Sequence, residues 1–484
     1  MTEDATLEQQ LARRHRQPAG VEQFGIEPIP EDKKTVAWYD LFVIVLNFLV
    51  NPGTVLTAGT AVAAGLPFWG AMVASILGIV IAFGVYVIMA TVGVDYGIPG
   101  QVATRMAYGL RGSRWLPSVV RTISSVFWFA FQTIAGALAI ISVVEQLWGV
   151  RLPVQAVSVV FAVFQVLVAT VGYGPLKLLS RFAFPLKIVI TAYLMYLLIT
   201  QPAGSYAGLD VFGWAGDIGW QWPLLALWIN TVASAWYSMV TDAADFCRYS
   251  RGRFDMQFGT MLAAVAGTAI ASMLGAYAVA ATHAANGNAW DVLARISSPP
   301  ALLLILVLVV LDNWTINVLN LYTGGLSVSN IFVRLGRFWA TLAVSVLGVA
   351  LSLVPEVINE YSGLMTTMGS IFAPIAGVLI ADYVILKKMR LDVGALFDRT
   401  GPYWYWHGFN WVAIAWTIAG FGLYNLLPMA SVPNLTSLVI VLVGYVVTTR
   451  IVARGSTVAA VAARPLDSPV SIRLNERIVE RYGS

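Results

Sequence analysis

Charge is what this chain has least of. Only 11% of its 484 residues are Asp, Glu, Lys or Arg, against about a quarter in an ordinary soluble domain. It has one cysteine, Cys247, and three histidines. A lone cysteine excludes an intrachain disulfide, and three scattered histidines make no metal-ligating cluster. No His-Glu-x-x-His pair, Gly-x-Ser-x-Gly elbow or Gly-x-x-x-x-Gly-Lys-Ser/Thr loop occurs. These absences argue against a zinc hydrolase, a serine hydrolase and a nucleotide-driven pump, so no enzyme activity and no cofactor are expected. The first 37 residues are charged, hold Pro and Gly, and lack an apolar core, so no cleavable signal peptide is expected there.

What is present is apolar length. Hydrophobic residues make up 58% of the chain and the mean hydropathy is +0.75. Runs of about 20 apolar residues, each enough to cross a bilayer of about 30 Å, recur along it. Twelve are expected, near 38–64, 68–93, 118–146, 155–172, 182–200, 222–246, 258–283, 299–326, 337–354, 361–386, 409–427 and 433–452. The fold class is therefore an all-α polytopic membrane protein with twelve transmembrane helices. With the N-terminus in the cytoplasm, alternating spans leave only Arg151 and Arg295 of the 29 Lys and Arg on the outer side. That asymmetry predicts a multi-pass protein of the cell membrane with both termini cytoplasmic. It also accounts for the net charge of +4 without a nucleic-acid partner. Residues 1–37 and 455–484 read as cytoplasmic tails too short to form domains.

Helix geometry assigns depth. At about 1.5 Å per residue, the midplane lies roughly ten to fifteen residues from either mouth. Four spans carry unusual residues there: "NPGT" (Asn51–Thr54) in span 1, Trp128 and Gln132 in span 3, Trp236 in span 6, and Asn317 in span 8. Span 8 also holds Asp312 within "LVLVVLDNWTINVLNLYTGG", and an ionisable group at such depth points to function. Taken singly, the others have structural alternatives. Tryptophans anchor at membrane interfaces, amides bond neighbouring helices, and Pro-Gly pairs kink helices. Pro52 removes a backbone donor, so carbonyls near Val50 and Asn51 lose helical partners. At midplane depth they need protein, water or a cation. Two aromatic faces with amides suit a flat heterocycle carrying N–H and C=O groups. No Lys or Arg is expected at that depth, which disfavours an anionic substrate. Asp242 and Asp245 near Arg248, and Asp382 near Lys387, read as ion-pairing or capping groups.

At these residues the chain resembles the nucleobase–cation symporters, the purine–cytosine permease and hydantoin transporter group. The likeness covers about residues 24–450. It rests on "GIEPIPED", "VFWFAFQTIAG", "WYSMVTDAADFCRYSR", "DNWTINVLNLYTGGLSVSNI", "GSIFAPIAGVLIADYVILKK" and "NWVAIAW". The resemblance implies a LeuT-type fold of two inverted five-helix repeats, 38–200 and 201–386, with helices 11 and 12 in 387–454. It implies symport of a neutral nucleobase or related N-heterocycle with H+ or Na+. Trp128 and Trp236 would sandwich the ring, with Gln132, Asn317 and Ala235 completing the substrate site. The hydantoin-type pattern has a glutamine four residues after the helix-3 tryptophan, as Gln132 is. The cytosine-type glutamine three residues before it is here Ser125. Val50, Asn51, Asp312 and Thr315 form the candidate cation site, including a candidate Na+ site. Sodium-coupled members carry adjacent hydroxyls on helix 8; here the pair is Thr315-Ile316, and Asp312 stands one turn earlier. A proton taken by Asp312 and a sodium ion bound beside it both remain open on the sequence. So do a passive heterocycle facilitator or channel and a transporter-like sensor. The carried heterocycle and the oligomeric state are not specified.

Overall fold

A computed structural model describes Glu22 and residues 24–200, 208–285 and 287–466. The N-terminal basic cluster and most of the C-terminal tail lie outside the described residues. Among the described residues the chain is helical, with no β-sheet. The main helices are α1 (Trp38–Leu49), α2 (Pro52–Ala63), α3 (Phe68–Tyr96), α4 (Pro117–Trp148), α5 (Val154–Val171) and α6 (Tyr173–Thr200). There follow α7 (Trp222–Tyr237), α8 (Ala243–Cys247), α9 (Arg253–Thr282), α10 (Ala289–Ile296) and α11 (Pro299–Ile331). The chain closes with α12 (Gly336–Ser352), α13 (Tyr361–Ile380), α14 (Trp411–Leu426) and α15 (Pro433–Gly455). Among the described residues eight helices are long and apolar enough to cross a membrane, and nine spans result if the bent pair α1–α2 is one. Each of the twelve expected runs falls on a helix or a helix pair, α12 and α14 being shorter apolar helices.

Two spans are broken. Between α1 and α2 the axis turns by 55°. Pro52 is tolerated as the first residue of α2, where its missing N–H has no partner to lose. Asn51 caps that helix by accepting from the Thr54 amide at 3.1 Å. The second break, Ser238–Asp242 between α7 and α8, differs from the single run expected over 222–246. Nothing in "WYSMVTDAADF" marks it, since the segment has neither Pro nor Gly. Tertiary donors stabilise it instead. Arg121 donates to the Ser238 carbonyl at 3.2 Å, Gln101 to the Thr241 carbonyl at 3.2 Å, and the Gly100 amide to Asp245 at 2.8 Å.

A second difference concerns α6, which starts at Tyr173 rather than near 182. Its first turns carry Lys177 and Arg181, both paired with Asp40 of α1, at 2.7 and 2.5 Å. Those charges hide the helical start from a hydropathy reading. The earlier start moves Lys187 to the middle of a 28-residue helix, so the expectation of no basic group at midplane depth fails.

The end of the bundle that carries the N-terminal residues is rich in charge and is called the basic end below; the opposite one is the far end. Glu22 crosses the basic end. It accepts from Arg248 at 3.0 Å, from Tyr322 at 3.0 Å, from the Tyr249 hydroxyl and from the Tyr173 amide at 2.9 Å. One residue thereby ties the start of α6 and the end of α8 to Tyr322 of α11.

Close packing of α9 on α1 and α2 depends on small residues, which let membrane helices approach closely. A Cβ on Gly275 would lie 1.9 Å from the Val55 carbonyl oxygen, whereas one on Gly84 would meet nothing within 4 Å. Gly275→Ala is therefore expected to destabilise the protein by about 1–3 kcal/mol, the usual cost of overpacking. Gly84→Ala should be neutral or slightly stabilising. Thermal unfolding of the purified protein in detergent checks the pair; equal stability in both variants would contradict this packing.

Candidate functional site

Both breaks meet at one cavity. The empty space between its walls is about 710 Å³, its open mouth included. Its walls come from α1, α2, α4, α7, α9 and α11, with Ser75 of α3. Trp128 and Trp236 face it, each partly exposed to it. Trp236 packs against Phe48 and Phe83, with ring centroids 5.8 and 6.2 Å away. Trp128 meets Phe131 edge-on at 6.0 Å. The two indoles are thus buttressed by other rings.

Gln132, Ala235 and Asn51 also line the cavity. Gln132 is 1% exposed, and its Oε1 has no hydrogen-bond partner among the described residues. A buried carbonyl oxygen left without a donor carries a desolvation cost, which a ligand N–H would relieve.

Asn317 does not line the cavity. It stands behind the wall, donating to the Phe129 carbonyl at 3.2 Å, to Thr133 at 3.1 Å and to Gln165 at 2.9 Å. Its Oδ1 accepts from Asn320 at 3.3 Å, and it is Asn320 that reaches the cavity. The α11 amide lining the cavity is thus Asn320, three residues beyond the expected Asn317. The signal was available, because residues three apart on a helix are neighbours, but depth alone could not choose between them.

Asp312 and Thr315 also lie outside the cavity, in a separate cluster. The Lys187 ammonium sits 2.5 Å from Asp312, and donates to Thr315 at 3.0 Å and to the Asn47 carbonyl at 2.8 Å. All three side chains are buried. The backbone oxygen serving this cluster is that of Asn47, one turn before the expected Val50 and Asn51. The candidate cation position thus has a protein cation resting on it. Sequence reasoning missed Lys187 because it placed that residue near a helix end.

A second buried cation, Arg121, closes the cavity toward the basic end. Its guanidinium pairs with Asp242 at 2.7 Å and donates to Thr323 at 2.8 Å. Asp242 therefore pairs with Arg121 rather than with Arg248. From that floor the cavity runs toward the far end, past Thr57 of α2 and Ser272 of α9.

With this geometry in view, the family description that matches is the permease for cytosine/purines, uracil, thiamine and allantoin, over residues 28–460. The chain belongs to this permease family. It is 24% identical over 436 residues to the allantoin permease of Bacillus subtilis, covering 85% of this chain and 88% of that one. It is 27% identical over 408 residues to the hydantoin permease of Microbacterium maritypicum, covering 79% and 80%. The structure of Mhp1, a nucleobase-cation-symport-1 family transporter in a closed conformation with bromovinylhydantoin bound, superposes with a TM-score of 0.81 at 22% identity. That match covers 95% of this chain and 99% of the other. At that identity it shows the fold, and the permease therefore has the LeuT-type architecture.

The roles of the two amides separate experimentally. Asn317→Leu strands the groups on Phe129, Thr133 and Gln165 and should lower stability by about 1–3 kcal/mol. Asn320→Leu should cost clearly less. Ligand-free thermal unfolding gives the order, and a reversed order would place Asn320, not Asn317, in the supporting network.

Proposed function

We propose that this permease imports a neutral planar N-heterocycle, of the nucleobase or hydantoin and allantoin type, by symport with protons across the cell membrane. Both termini would be cytoplasmic, as the basic end implies. The substrate reading is supported by two buttressed indole faces and by the amides of Gln132 and Asn320 in one cavity. Stacking holds a flat ring, and an amide offers both donor and acceptor to its edge. Among the described residues, Arg121 is the only charged side chain lining the cavity, and it is already paired with Asp242, which favours a neutral substrate.

The observation that carries the coupling is Lys187. Its ammonium rests on Asn47, Thr315 and Asp312, where the broken first helix and α11 would otherwise receive a cation. A sodium ion there would face a like charge. At an effective dielectric of about 20, two unit charges 4 Å apart interact by about 4 kcal/mol, so sodium competes poorly. A proton has no such difficulty. Its arrival on Asp312 turns the pair from zero to +1 and weakens the contact joining α6 to α11. Its departure restores that contact. This gives a two-state element whose equilibrium a proton biases. Lys187 also holds α1 through the Asn47 carbonyl, and α1 leads directly into the cavity wall.

Proteoliposome uptake tests this reading. A pH gradient should drive accumulation without sodium. Removing one member of a buried pair costs about 3–5 kcal/mol, so the informative variant removes both charges, Lys187→Met with Asp312→Leu. It should retain equilibrium binding and lose pH-driven accumulation. Wild-type uptake that requires a sodium gradient, or undiminished accumulation by the double variant, would reject proton coupling through this pair. Separately, Trp128→Ala and Trp236→Ala should each weaken ligand binding by about 1–3 kcal/mol, the scale of base–aromatic stacking. Titration calorimetry measures this, and unchanged affinity in both would place the ring elsewhere.

A further inference from the structure

Hydroxyl side chains on membrane helices usually bond back to the carbonyl one turn earlier. Thr57, Ser75 and Thr260 do so here, with Gly53 at 2.7 Å, Ala71 at 2.8 Å and Met256 at 2.6 Å. Thr268 and Ser272 of α9 do not. Both are 0% exposed, both line the cavity, and neither hydroxyl has a hydrogen-bond partner among the described residues. They stand one turn apart on one face. Packing fixes where that face points: Gly267 lies against Leu49 of α1, and Gly275 against Val55 of α2. Thr268 and Ser272 fall between those contacts, opposite the helix break. Around them, toward the far end, the cavity carries Thr54, Thr57 and Ser75. A bare ring stacked at Trp128 and Trp236 would leave this patch unmatched.

We propose that Thr268 and Ser272 form a second subsite that holds a polar, uncharged arm of the substrate, of ureido or carboxamide type, projecting from the stacked ring. The inference rests on the ring-binding reading above. A ureido or carboxamide group has N–H donors and a C=O acceptor, and each hydroxyl can both donate and accept. A charged arm is disfavoured because no cation lines this part of the cavity; Arg121 lies at its other end. An apolar arm would leave two buried hydroxyls without partners, which carries a cost.

Three ligands built on one ring test this by titration calorimetry on the full-length protein: hydantoin with no arm, allantoin with a ureido arm, and 5-benzylhydantoin with an apolar arm. Wild type should bind allantoin at least tenfold tighter than hydantoin or 5-benzylhydantoin. The double variant Thr268→Val with Ser272→Ala should lose tenfold or more for allantoin and stay within twofold for hydantoin. Ligand-free thermal unfolding verifies that it folds. Trp128→Ala should weaken both ligands alike. Equal losses for all ligands in the double variant, or tighter wild-type binding of the benzyl compound, would overturn the arm subsite. So would sodium-stimulated binding that the double variant abolishes, which assigns the hydroxyls to a cation. If hydantoin, cytosine, uracil and hypoxanthine all fail to bind wild type, the ring reading itself falls and takes the arm subsite with it. If a bare nucleobase binds and the arm adds nothing, only the arm subsite falls.

Discussion

A helix interrupted in lipid must find partners for the backbone groups it frees, and the break between Leu49 and Pro52 imposes that demand on most of this structure. Carbonyls around it are met by side chains, from α6, from α10 and from the break itself. The Asn47 carbonyl takes Lys187 of α6, the Phe48 carbonyl takes the Asn51 amide at 2.8 Å, and the Pro52 carbonyl takes the Trp290 indole of α10 at 3.3 Å. An unsatisfied polar group in hydrocarbon costs several kcal/mol, so these partners are fixed by necessity. The break consequently ties together α6, α9, α10 and α11, and leaves a cavity beside itself.

The second break repeats the logic with different chemistry. Between α7 and α8 the freed carbonyls are served by Arg121 and Gln101, and Arg121 is neutralised in turn by Asp242. Burying a charge is costly unless it is paired and hydrogen-bonded. Arg121 has a carboxylate, a carbonyl and a hydroxyl around it. The two interrupted helices thus end in two buried ion pairs. One, Arg121–Asp242, floors the cavity. The other, Lys187–Asp312, lies behind its wall and joins α6 to α11. A pair of this kind adds little net stability, yet removing either charge alone is costly because it leaves the other buried and unpaired. The Glu22 strap adds a third charged contact, so the basic end is closed in depth, from the cavity floor to the surface.

How much of this was legible follows from the physics of each signal. Hydropathy registers burial in lipid, so the spans, the lopsided basic residues and the Asn51-Pro52 break could be read directly. Trp128, Trp236 and Gln132 could be placed near mid-span because a helical span converts residue number into depth, whereas Ala235 came only with the family resemblance. Rotation about the helix axis is not given by depth. Asn317 and Asn320 are three residues apart, about 4.5 Å along the axis, and only packing against Phe129, Thr133 and Gln165 decides that the first supports and the second faces the cavity.

The sequence by itself determined that this chain is a polytopic helical bundle of the permease family, with its polar residues gathered near mid-span. Period, hydropathy and motif order are local properties, and a lipid solvent makes them decisive. Only the tertiary structure decided which polar residues meet. Lys177 and Arg181 interrupt the apolar run before Lys187, so a span expected from 182 leaves that residue near its start. Pairing of those two with Asp40 extends α6 and carries Lys187 inward to Asp312. The break after Tyr237 is likewise invisible locally, since its partners, Gln101 and Arg121, lie more than a hundred residues away in sequence. Contacts across such distances depend on how helices pack against one another, which no local pattern encodes.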